Sequence, residues 1–253
     1  MQLTNSKVGV IVQARLGSTR LKNKLEKEFY ENRSLGQIVF QNIAKLSIHF
    51  KVVVATTTNE ADGYIQEIAE EQSLEVFRGS ENNVLSRFIG CAEENEFETI
   101  VRVCSDNPFL QVEYIYKLIE EHLSGNFDYT SYFFSNGKPV IKSHLGLFTE
   151  VISLKALKEV SYQTNDSLYL EHVTNFLYEH PDKFKINRIS IPEKLVESES
   201  IRLTIDTLED FELGAKIYSL TYPSLGIDDI LFQLSQKKEY KAIMEEQILK
   251  NEK

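Results

Sequence analysis

Three short runs rich in β-branched residues constrain this chain more than any other feature: Val8–Val12 (VGVIV), Lys51–Ala55 (KVVVA) and Thr99–Val103 (TIVRV). A strand with apolar side chains on both faces of its pleat must be covered on both faces, the condition met by a parallel sheet between layers of helices. Segments with helical spacing alternate with these runs. Leu35–Leu46 places Leu35, Ile38, Val39, Ile43 and Leu46 on one face, and Glu60–Gln72 turns Ile65, Ile68 and Ala69 inward. Glu81–Asn95 and Val112–Leu123 read as further helices, and Leu74–Phe77 and Phe127–Ser131 as short strands. Strand and helix alternate about four times, which predicts an α/β fold: a three-layer α/β/α sandwich around a mostly parallel sheet. Ligands of such sheets bind at the carboxyl ends of the strands.

The second half is less regular. Phe133–His144 reads as a loop or hairpin, Leu145–Ile152 as a strand, and Leu154–Val160 and Ser167–Glu179 as helices. Lys185–Ile191 and Ile201–Ile205 (IRLTI) read as strands. Thr207–Tyr218 reads as a helix that Thr207 caps, with Asp210 closing a capping-box-like pair. Ile227–Lys253 reads as a polar helical tail that frays at its end. With no internal repeat or low-complexity linker, residues 1–253 are expected to form one domain, with a protruding dimerisation or acceptor arm around 132–145.

Charge narrows the function. The net charge of −10 argues against a nucleic-acid binder. No apolar run approaches the ~18 residues of a membrane span, and Met1–Lys7 is polar, without a signal-peptide core. Two cysteines without zinc spacing point to a reducing, cytoplasmic setting. Yet the first acidic residue is Glu26, preceded by Lys7, Arg15, Arg20, Lys22 and Lys24. An acidic protein that concentrates its cations directly after a buried strand is arranged to hold an anion there.

The loop after the first strand contains neither GxxxxGK[ST] nor GxGxxG. It reads Gln13-Ala14-Arg15-Leu16-Gly17-Ser18-Thr19-Arg20-Leu21, with Lys24 behind. Gly17 admits close backbone approach, Ser18 and Thr19 add hydroxyl donors, Arg15 and Arg20 offer bidentate contacts to phosphate oxygens, and Lys24 adds a mobile charge. These are the groups a triphosphate needs. Asp106 and Asp206 each follow an apolar run (TIVRV, IRLTI). If both runs are strands of one sheet, the two carboxylates converge at its carboxyl edge, where Mg²⁺ prefers one or two carboxylates plus phosphates and waters.

The segment VQARLGSTRLKNK resembles the signature loop of the cytidylyltransferases that activate acidic sugars, among them the CMP-Kdo and CMP-sialate synthetases, and most of all the branch named after spore-coat polysaccharide biosynthesis. Further similar segments follow in order: VVVATTTN at 52–59, EVFRGSENNVLSRF at 75–88, IVRVCSDNPFL at 100–110, EHVTNFLYEHPDKFKI at 171–186 and IRLTIDTLEDFEL at 201–213. The resemblance implies a GT-A-like fold, a homodimer, and Mg²⁺-dependent transfer of CMP from CTP to an acidic sugar or related small acceptor in surface polysaccharide biosynthesis. By position it implies that Ala14, Arg15, Gly17, Ser18, Arg20, Lys24, Thr56, Arg78, Gly79, Ser80 and Asp106 bind nucleotide. Arg15, Arg20, Lys24 and Asp106 would serve catalysis, and Asp106 and Asp206 would hold the metal. His144 and Arg102 are the candidate acceptor contacts. Two departures stand out: Leu21-Lys22-Asn23-Lys24 replaces the usual Leu-Pro-Gly-Lys, and Ser105 and Asn107 flank Asp106 where Gly and Cys are usual. A glycosyltransferase or a nucleotidyltransferase using another nucleotide shares this loop chemistry, and a non-catalytic nucleotide-binding homologue is the remaining alternative.

Overall fold

A computed structural model describes residues 7–251. The polar stretch Met1–Ser6 and the tail residues Glu252 and Lys253 lie outside the described residues. Strand β1 (Val8–Gln13) leads through the basic loop to a small hairpin, β2 (Glu28–Tyr30) and β3 (Arg33–Ser34), and then to α1 (Leu35–Ala44). Next come β4 (Lys51–Thr57), α2 (Gly63–Glu71), β5 (Glu75–Gly79), α3 (Val84–Glu94), β6 (Thr99–Cys104), α4 (Glu113–Ser124) and β7 (Tyr129–Phe133). The rest comprises β8 (Glu150–Ser153), α5 (Leu154–Gln163), α6 (Ser167–Glu171), α7 (Asn175–Glu179), β9 (Ile186–Ser190), α8 (Leu208–Thr221), α9 (Ile227–Gln236) and α10 (Lys238–Lys250).

Seven strands form the central sheet in the order β5-β4-β1-β6-β8-β7-β9. The three β-branched runs are its neighbouring centre, with β4 and β6 parallel to β1 on either side. Only β8 runs against its neighbours. One face packs on α1, α2, α4, α8 and α9, the other on α3, α5 and α7, giving the three layers the alternation predicts. The helix α1 starts where the sequence supplies a complete cap: the Ser34 hydroxyl accepts from Gln37 N, and the Gln37 side chain accepts from Ser34 N. Thr207 and Asp210 form the same reciprocal box at α8.

The second half departs from several expectations. Ile201–Ile205 is buried but is not a strand. The sheet position beside β6 belongs to β8, so this segment crosses the sheet edge instead. Leu203 N and Thr204 N donate to the His144 carbonyl, and Ile205 N donates to the Asp106 carbonyl at 2.9 Å. The strand expected at Leu145–Ile152 begins only at Glu150, because Gly146 turns the chain at φ +66°. A Cβ there would lie 3.0 Å from Thr204 N, so this turn needs glycine. Ser167–Glu179 is two short helices, α6 and α7, rather than one. Within residues 132–145, Tyr132, Phe133, Phe134, Val140 and His144 are buried, and Ser135, Asn136 and Gly137 are exposed. In the tail, α10 buries Met244 and Gln247.

Candidate active site

A cleft of about 600 Å³ opens at the carboxyl end of β6. Arg20, Asp106 and Asp206 line it together, joined by Gln13 and Arg102. The three come from distant points of the chain. Asp106 follows β6, Asp206 follows the crossing segment, and the hydrogen bond from Ile205 N to the Asp106 carbonyl brings these two stretches side by side. Convergence of the carboxylates therefore survives although the second run is no strand.

Basic side chains of the loop rest on acidic partners. An Arg20 Nη2 donates to Asp206 Oδ1 at 2.7 Å, and an Arg15 Nη2 to Glu171 Oε1 at 2.7 Å. Lys24 Nζ donates to the Ile205 carbonyl at 2.7 Å and stands 3.8 Å from Asp106 Oδ2. Arg20 is half exposed while Asp206 is buried. The loop turns at Asn23, φ +53°, whose carbonyl accepts from Glu26 N at 3.0 Å. Asparagine tolerates this left-handed conformation better than any residue except glycine, so the change from the usual Gly keeps the turn. The loop is pinned from below by Asp62, a buried residue the sequence reading missed: Leu16 N donates to Asp62 Oδ1 at 2.8 Å, and the Thr57 hydroxyl donates to Oδ2.

The other residues expected to contact nucleotide make bonds within the protein. The Arg78 guanidinium donates to the carbonyls of Thr57 (2.9 Å) and Asn59 (2.7 Å) and so clamps the turn after β4. Thr56 is fully buried in β4, and Ala14 is buried, its N–H donating to the Ala55 carbonyl. Gly79 ends β5, where its carbonyl accepts from Thr58 N. The Ser80 hydroxyl accepts from Asn83 N ahead of α3. Gly17 is exposed, and Ser18 folds its hydroxyl toward Leu21 N at 3.5 Å. Arg87 is buried: Nη1 donates to the Ser80 carbonyl, while Nε and Nη2 have no hydrogen-bond partner. Burial, then the nearby Arg15, lowers its pKa.

The two acceptor candidates part ways. Arg102 does line the cleft. It pairs across the β6–β8 ladder with Glu150, Nη1 to Oε1 at 2.5 Å, and its Nη2 donates to Gln13 Oε1 at 3.3 Å. Burial opposes its charge, but Cys104 and Glu150 outweigh that and raise its pKa. Glu150 also accepts from the Tyr129 hydroxyl (2.5 Å) and the Thr174 hydroxyl (2.9 Å), so a fully buried network forms the floor. His144, in contrast, is buried and absent from the cleft lining. Its Nδ1 accepts from Arg202 Nη1 at 2.5 Å, so Nε2 carries the proton and donates to the Asn251 carbonyl at 2.9 Å. Both ring nitrogens serve the protein rather than an acceptor.

Several lining residues were not singled out from sequence. Lys142, Asn175, Tyr178 and Asn251 also line the cleft. Arg202 is the largest omission: its Nε and Nη2 each donate to Asp210 at 2.6 Å, and Nη2 lies 3.5 Å from Asp206 Oδ2. The run IRLTI presents it as one polar residue in a strand, and only the paired acidic residues of the following "DTLED" hint at its partner.

No group of three or more His, Cys, Asp or Glu among the described residues is arranged to hold a metal alone. Among the described residues no helix is long and apolar enough to cross a membrane.

Related proteins place this chain in a family. The chain is 33% identical over 213 residues to the spore coat polysaccharide biosynthesis protein SpsF of Bacillus subtilis, covering 82% of this chain and 85% of that one. It superposes on a cytidylyltransferase from Leptospira borgpetersenii with a TM-score of 0.81 at 25% identity, covering 92% of this chain and 96% of that one. It shares its fold with CMP:2-keto-3-deoxy-manno-octonic acid synthetase complexed with CTP (TM-score 0.62, 11% identity, 84% and 98% covered). The profile of the family described as Cytidylyltransferase spans residues 9–248, nearly all of the sequence around this cleft, and the chain belongs to that family.

Proposed function

We propose that this chain transfers CMP from CTP to a small acidic acceptor, a sugar acid or a related compound, in a Mg²⁺-dependent reaction that releases pyrophosphate. The observation that carries the reading is the cluster of Arg20, Asp106 and Asp206 on the cleft with Lys24 beside Asp106, two cations and two carboxylates from three separate segments. The donor set suits Mg²⁺, which binds through one or two carboxylates and completes its shell with phosphates and water. When bound, it neutralises charge on the phosphates and on the departing pyrophosphate. Asp106 and Asp206 would hold it. Arg20 and Lys24, now resting on those carboxylates, would turn to the phosphate oxygens.

The protein's work is positioning and charge compensation. The acceptor oxygen attacks the α-phosphorus and forms the new P–O bond. The bond to the β-phosphate oxygen breaks, pyrophosphate leaves, and the acceptor's proton passes to solvent. Arg15, Arg20 and Lys24 stabilise the leaving charge. Arg102 and Lys142, both on the cleft lining, would give a carboxylate acceptor cationic partners.

An Arg20→Ala exchange separates the triphosphate end from the rest. Calorimetric titration should show CTP binding weakened about tenfold or more, the loss of one charged hydrogen bond of about 1.5–3 kcal/mol, with CMP binding unchanged. Equal losses for CTP and CMP would remove Arg20 from the phosphate tail.

A further inference from the structure

The end of α10 reaches the reaction centre. Asn251 lines the cleft, and its carbonyl takes the proton of His144 Nε2 at 2.9 Å. His144 Nδ1 takes a hydrogen bond from Arg202 Nη1 at 2.5 Å, and Arg202 Nη2 stands 3.5 Å from Asp206 Oδ2. Arg202 is itself aimed by Asp210, which grips its Nε and Nη2 at 2.6 Å each. The relay is buried: Arg202, His144, Asp206 and Asp210 are all under a tenth exposed. A second tie runs alongside, from the Thr207 hydroxyl to Gln247 Oε1 at 3.3 Å.

We propose that His144 and the last turn of α10 are positioning elements for Asp206, and that Asn251 supplies the acceptor-side wall of the cleft. The proposal rests on the reading of Asp206 as a metal carboxylate. Its logic is geometric. A guanidinium gripped by Asp210 on one edge and by an imidazole on the other has little freedom, so its approach to Asp206 Oδ2 fixes the carboxylate plane while Oδ1 faces the loop cation Arg20. The imidazole is held in one tautomer because one nitrogen must accept from Arg202 and the other must donate to Asn251. Partners that orient a metal's ligands without touching the metal are typically worth about 10- to 100-fold in metal affinity.

The test compares the full chain with a chain ending at Lys250 and with His144→Leu and His144→Gln. Each is titrated calorimetrically with CTP at a series of Mg²⁺ concentrations, and with CMP alone. The truncation and His144→Leu should raise the Mg²⁺ concentration for half-maximal CTP binding by about tenfold or more, with CMP affinity unchanged. His144→Gln keeps one acceptor and one donor and should stay near the parent. An unchanged Mg²⁺ half-point in the truncated chain and in a folded His144→Leu variant overturns the proposal. So does a lower melting temperature with no Mg²⁺ shift, which is what a purely structural role gives. Should the full chain itself bind CTP without any Mg²⁺ dependence, the metal reading fails first, and that outcome is distinct from the other two.

Discussion

Asp206→Asn is expected to lose roughly three orders of magnitude in turnover, several kcal/mol of transition-state stabilisation, while keeping its fold. Asparagine has the same shape and keeps one oxygen for Arg20, which donates to Oδ1 at 2.7 Å, while the Thr204 hydroxyl, which donates to Oδ2 at 3.1 Å, can turn to accept from the new amide. Arg202 remains paired with Asp210. The structural cost should therefore stay near 1 kcal/mol, a shift of about 2–4 °C in a chain of this size. What disappears is the charge of one of the two carboxylates on the cleft wall. Pyrophosphate release from CTP, followed while sugar acids are screened as acceptors, reads the first effect, and a thermal melt reads the second. Unimpaired turnover would take Asp206 out of the metal site.

Arg202→Met carries the largest expected stability effect. Its side chain is completely buried, and its loss leaves Asp210 without its bidentate partner and Asp206 without one of its cations. Removing one member of a buried ion pair costs about 3–5 kcal/mol, a drop of roughly 10 °C in melting temperature. The pH dependence follows from linkage. A buried carboxylate stripped of its cation has a pKa raised above its unfolded value, so the penalty is present at neutral pH and shrinks as pH falls. The melting deficit should thus be smaller at about pH 5 than at about pH 8. Adding Asp210→Asn, which keeps an oxygen for the amides of Asp206 and Thr207, should recover part of the loss. A single variant melting within 2 °C of the parent (below the ~2–4 °C that 1 kcal/mol gives) would contradict this account of the pair.

Both predictions bear on residues that differ in how readable they were. The β-branched runs of β1, β4 and β6 announce strands covered on both sides because that burial is written into each run separately. The Thr207–Asp210 box is local as well, and it stands where its spacing places it. Asp206 reaches the cleft although the run before it is no strand: IRLTI encodes burial and extension, but pairing depends on which segment reaches the edge of β6, and β8 does. Arg78, expected at the nucleotide from the resemblance, stands in β5, and its bonds to the carbonyls of Thr57 and Asn59 are contacts that no local pattern encodes. His144 and Asn251 lie 107 residues apart, and no periodicity links a mid-chain histidine to the end of the last helix. Side-chain partners set by tertiary packing, as for Arg202 and His144, leave no local trace in a single sequence.

We infer that this cleft takes CTP together with Mg²⁺. A thermal-shift panel of CTP, UTP, ATP and GTP, each with and without Mg²⁺, tests this most directly, because a ligand that binds only the native state stabilises it by an amount that grows with the logarithm of its concentration over Kd. A stabilisation given by CTP with Mg²⁺, at about 3 kcal/mol for ligand at 100 times its Kd, and absent with the other nucleotides is the predicted result. Stabilisation by another nucleotide instead, or by none with Mg²⁺ present, would contradict it.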